Sequence, residues 1–107
     1  MNELLNEQEV LKTARRMSFH MLKVNIINQF KSLDYHSESQ DDLGKILTQR
    51  SEKLMDIFIQ AAWERRPVFN SRYEEIEDLS NDVSLDEYKK QTLETLEKLQ
   101  KASKLNV

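Results

Sequence analysis

One glycine, one proline and no cysteine occur in 107 residues. Without cysteine there is no disulfide, no thiolate nucleophile and no cysteine metal site. A single glycine cannot supply the consecutive amides of a phosphate-cradling loop, nor the glycine-flanked elbow that exposes a nucleophilic serine. With only Gly44 and Pro67, the turn residues on which sheets depend are also scarce. Long apolar runs are missing too. The longest uncharged stretch, Val24 to Phe30, contains two asparagines. It is far short of the roughly 20 apolar residues that cross a bilayer. The opening residues, Met1 to Glu7, are acidic where a secretory signal is basic. The expected location is the cytoplasm, with no membrane partner.

What is present favours helix. Hydrophobic residues are 38% and charged residues 33%, with mean hydropathy −0.72. The charge is high for a globular domain, yet the apolar share is too high for a disordered one. Leu, Lys, Glu and Gln dominate, so propensity agrees with composition. The expected fold is all-α, one domain over 1–107, a small antiparallel bundle of about four helices at 7–33, 40–66, 71–80 and 85–102.

Periodicity and caps place those helices. Asn6 with Glu9 forms a capping box, and Val10, Ala14, Met17, Met21 and Val24 recur at spacings of three and four. Leu11, Leu22, Ile26, Phe30 and Leu33 widen this stripe, so the later half of the first helix is expected near the centre. Polar, non-periodic residues 34–40 read as the main loop, and Ser39 with Asp42 offers the next cap. Gly44 in the following first turn reads as a weak point, costing about 1 kcal/mol against alanine. Pro67 is expected to stop or kink the second helix at Arg66. Ser71 with Glu74 matches a capping box for a short third helix, and Ser84 with Glu87 is the clearest start in the chain. No segment alternates with period two for long enough to be a strand.

Candidate chemistry is thin. His20 and His36 have no ligand partner at i+3 or i+4, so no metal or cofactor is expected. His36 among Asp34, Glu38, Asp41 and Asp42 reads as a solvated polar loop. Adjacent acids such as Asp41 with Asp42 and Glu74 with Glu75 point apart on a helix. No catalytic residue is assigned, and the protein is expected not to be an enzyme.

Charge is more informative. Lys12, Arg15, Arg16, Lys23 and Lys31 fall between Val10 and Leu33 without an acid, while residues 74–87 carry seven acids and no base. The plain reading is two solvated faces. A sharper one makes Lys12, Arg15, Arg16 and Lys23 a basic stripe for nucleic acid, although the net charge of −3 weighs against it. Tryptophan, arginine and tyrosine are enriched at binding hot spots, and Trp63, Arg65, Arg66, Phe69, Arg72 and Tyr73 cluster around the proline. The expected function is therefore a non-enzymatic protein-binding module such as an inhibitor, immunity or antitoxin-type factor, or chaperone. The alternatives are a nucleic-acid-associated regulator and a homodimer sealed by the last helix. In size and class alone the chain is similar to bacteriocin-immunity bundles, secretion chaperones and phage or plasmid regulators, with no shared motif to carry residue roles.

Overall fold

A computed structural model describes residues 6–65, 68–69, 72, 75–76 and 83–105. Among them are four helices: α1 (Glu7–Ala14), α2 (Phe19–Ser37), α3 (Asp42–Arg65) and α4 (Leu85–Leu105). Between α3 and α4, β1 (Val68–Phe69) pairs antiparallel with β2 (Glu75–Ile76), Val68 opposite Ile76 and Phe69 opposite Glu75. The all-α bundle is as expected. Its division of the chain differs in three places.

The predicted helix 7–33 is two helices. Arg15 caps α1 by bonding back to the Leu11 carbonyl, and Arg16 and Met17 close tighter turns onto Thr13 and Ala14. Ser18, extended at ψ 158°, then opens α2 by accepting from the Met21 amide at 3.2 Å. Apolar spacing continues across the break because both pieces pack on α3. The local signal was Ser18, a cap residue without the Glu or Gln three positions on that completes a box.

The predicted loop at 34–40 is shorter, because α2 runs through Ser37. Ser37 Oγ donates to the Asp34 carbonyl, and the Ser39 amide donates to the His36 carbonyl. A polar last turn has no apolar period to betray it. The predicted helix 71–80 is contradicted at Glu75–Ile76, which are extended, and Arg72 lies in a turn. Ser71 and Glu74 lie outside the described residues. The Ser and Asn that suggest a cap there serve turns equally well.

The remaining ends fall close to expectation. Asn6 Oδ1 accepts from the Glu9 amide, Ser84 Oγ accepts from the Glu87 amide, and α3 ends at Arg65, just before Arg66-Pro67. Of the predicted bounds 40–66 and 85–102, the second is extended to Leu105.

Pairings across the bundle set helix directions. Arg15 meets Glu64, while Glu7 and Leu11 line a groove with Lys53 and Ile57, so α1 runs parallel to α3. The 15–18 turn then sends α2 back along α3. Val83 bonds Trp63 and Lys89 approaches Asp56, which makes α4 antiparallel to α3. α3 is therefore the hub, contacted broadly by every other helix. Its buried residues include Met55, Ile57, Phe58, Ile59, Ala61 and Ala62, joined by Ala14, Leu22, Ile26 and Leu96. The centre belongs to α3, not to the later half of the first predicted helix. Only Leu22 and Ile26 of α2 are buried. The residue count of apolar positions around α3 decides this, since a helix apolar on several sides needs neighbours on several sides.

The start of α3 corrects two expectations. Asp41, not Ser39, is its cap: Asp41 Oδ1 accepts from the Gly44 amide at 2.6 Å and from Ser39 Oγ at 2.8 Å. The Gly44 amide first, and the Ser39 hydroxyl second, hold the Asp41 carboxyl below the usual aspartate range. Gly44 is buried, and a Cβ there would come within 3.0 Å of Ser39 and of Asp41 Oδ1. Glycine is needed for that close approach. Helix propensity alone predicts that Gly44→Ala stabilises by about 1 kcal/mol. We expect instead a loss of about 1–3 kcal/mol from overpacking, largely recovered in a Ser39→Gly background, as read by urea and thermal melts. A rise in melting temperature for Gly44→Ala alone is the result that contradicts the packing argument.

The Asp41 cap also has a pH signature. A carboxyl depressed in the folded state stabilises above its unfolded pKa, here the ordinary 3.8, and loses that contribution as pH falls below it. Asp41→Asn should be less stable than the parent near about pH 6 and converge on it below about pH 3. Urea midpoints across that range test the convergence.

Candidate functional site

Two separate sequence candidates meet at one corner of the bundle. Arg15 Nε and Nη2 donate to Glu64 Oε2 and Oε1 at 3.0 and 3.1 Å, a bidentate pair joining the end of α1 to the end of α3. The Arg65 guanidinium donates to the Arg15 carbonyl. That carbonyl is among those a helix end leaves without an internal partner. Glu64 pushes the Arg15 pKa further above its ordinary value, through the hydrogen bond first and the charge second. Beside them, Trp63 Nε1 donates to the Val83 carbonyl at 2.8 Å. Val83 immediately precedes Ser84, which caps α4.

The donors of this corner therefore serve the fold. Trp63 is half-buried, and its indole fixes where α4 begins. Of the other hot-spot candidates, Arg72 is exposed, the backbone of Phe69 pairs with Glu75, and Arg66 and Tyr73 lie outside the described residues. The basic candidates are dispersed. Lys12 lies on α1, Arg16 in the turn after it and Lys23 on α2, all exposed. Because the chain turns at 15–18, they do not form one stripe along a single helix, as the unbroken period predicted. Lys23 Nζ sits over the Phe19 ring at 5.0 Å from its centroid.

The most exposed apolar surface lies elsewhere. Met21 and Val24, assigned by periodicity to the core stripe, are 52% and 43% exposed, and Tyr35 is 77% exposed. Ile27 of α2, Leu43 and Ile46 of α3, and Leu99 of α4 are exposed as well. Sequence reasoning missed this face because α2 carries apolar residues around much of its circumference. The stripe chosen for it was carried over from α1, and the break at Ser18 resets the phase.

A groove of about 260 Å³ runs between α1, α3 and α4, lined by Glu7, Gln8, Leu11, Lys53, Asp56, Ile57, Gln60 and Lys89. Lys89 Nζ stands 3.8 Å from Asp56 Oδ1 across it. Two acids and two bases give the groove no dominant charge, and it is smaller than typical small-molecule sites of roughly 300–1,000 Å³. Among the described residues, no three of His, Asp and Glu gather as a metal site. His20 is exposed, and the His36 ring meets Tyr35 edge-on at 5.0 Å. No described helix is long and apolar enough to cross a membrane.

Compared with protein-family models, curated proteins and solved structures, the chain matches none.

Trp63→Phe keeps the ring but removes the donor to Val83. It should cost about 1–3 kcal/mol, the range for leaving a partly buried acceptor unpaired. Amide exchange at Glu87 and Tyr88, in the first turn of α4, should accelerate more than at Leu22. Uniform acceleration at both ends of the molecule would instead mean that the bond holds no particular element.

Proposed function

We propose that this protein is a non-enzymatic protein-binding module acting in the cytoplasm, of the inhibitor, immunity or antitoxin, or chaperone kind. The observation that carries the reading is the uncovered apolar face of the α2–α3 hairpin, with Met21, Val24, Ile27 and Tyr35 on one helix and Leu43 and Ile46 on the other. Single exposed apolar residues are ordinary, but several on one pair of helices mark a contact surface. The preferred surface thus moves from the Pro67 corner, where Arg15, Glu64, Arg65 and Trp63 serve one another and Val83, to the outer face of the hairpin. The nucleic-acid reading has less support, since Arg15 is held by Glu64 and the net charge is −3.

A photoreactive residue placed at Val24 tests the proposal against the same residue at exposed Glu97 on α4. In the native cytosol, Val24 should give a discrete protein adduct and Glu97 none. Adducts to nucleic acid alone, or identical patterns from both sites, would overturn it.

A further inference from the structure

α2 has two opposite faces. Leu22 and Ile26 are buried on the bundle side, with Leu33 half-buried in line with them. Met21, Val24, Asn28, Lys31 and Tyr35 share the other side, at spacings of three, four, three and four, and all are exposed. That is the spacing of a coiled-coil seam. Ile27, His20 and Lys23 border it, also exposed.

The charge around the seam selects its occupant. From Val10 to Leu33 the chain has no acid, and Asp34 is the only one in α2. Lys23 and Lys31 thus flank exposed apolar residues without a compensating carboxylate along most of the helix. Lys23 rests on the Phe19 ring, which orients its ammonium and reduces the freedom lost on binding.

We propose that this seam docks an acidic amphipathic helix of another protein. Its apolar residues would lie on Met21, Val24 and Ile27, with carboxylates toward Lys23 and Lys31. The inference rests on the protein-binding reading and names the chemistry of the partner. A second copy meeting face to face through the same seam brings two positive faces together, a repulsion that disfavours that pairing. A lipid surface is a poorer match, because membrane-binding basic clusters use about 4–8 Lys or Arg. Asn28 within the seam fits a helical partner, since a single polar position in such a seam sets register.

The test uses the full chain, isotope-labelled for NMR, and a synthetic amphipathic helix of about three heptads with Leu at a and d and Glu at e and g. A matched peptide carries Lys in place of Glu. A third probe is vesicles of phosphatidylcholine and phosphatidylserine in equal parts. The Glu peptide should bind with shifts concentrated at Met21, Val24, Asn28 and Tyr35, and the Lys peptide at least about tenfold more weakly. The double substitution Lys23→Glu/Lys31→Glu, with an unchanged melting temperature, should reverse that order. The peptide swap on the unaltered chain gives the same answer without depending on the variant.

Equal affinity for both peptides, no binding of the Glu peptide, shifts centred elsewhere, binding to vesicles alone, or a solution dimer abolished by Val24→Asp would each overturn the assignment. A protein adduct at Val24 together with equal peptide affinities leaves the protein-binding reading standing and removes only the acidic helix. Loss of both removes both.

Discussion

The burial of α3 on several sides is the constraint from which the rest of this bundle follows. Between Met55 and Ala62 only Asp56 and Gln60 escape burial. A helix with that pattern cannot rest in water along any face, so it requires neighbours on several sides at once. α2 supplies one along its length, while α1 and α4 supply others beside its second half. Truncating a fully buried side chain such as Leu22 or Ile59 to alanine costs about 2–5 kcal/mol, comparable with the whole stability of a small domain. Caps and exposed ion pairs are weaker and act by orienting what burial brings together.

The same constraint explains the shape. With one hub and few contacts between the peripheral helices, the molecule spreads: its radius of gyration is 15.7 Å and its thinnest dimension 21 Å. A compact chain of this length has a radius near about 13 Å, and 21 Å is about two helix diameters. A flat arrangement of helices leaves more lateral surface than a sphere. That is why α2 can bury Leu22 and Ile26 while exposing Met21, Val24 and Tyr35 on the far side. The corner at Arg15, Glu64, Arg65 and Trp63 ties three helix ends together, so surface types normally associated with partners serve internal geometry there.

Most of the fold was legible because local physics marked it. Asn6 and Ser84 carried complete capping patterns, and Arg66-Pro67 forced an end on α3. The failures have local causes too. Ser18 lacked the second half of its box, so the break in the first helix was silent. The polar turn 34–37 carried no apolar period. Gly44 looked like a flaw when judged by propensity alone. Its reason is the Asp41 cap and the Ser39 side chain, which come from the loop before it.

Of the candidate site, the residue types were legible and their roles were not. Trp63 and Arg65 were singled out correctly as side chains needing polar partners, yet which partners they take depends on where α1 and α4 end up. Composition and periodicity by themselves determined the all-α class, the helix-rich bundle and most helix ends, because caps, proline and apolar spacing act within a few residues. Only tertiary structure decided which helix is central, which stripe of α2 faces inward and which arginines are engaged. Those choices compare burial between elements distant in sequence, and an apolar residue on a two-faced helix fits either side until its neighbours are placed.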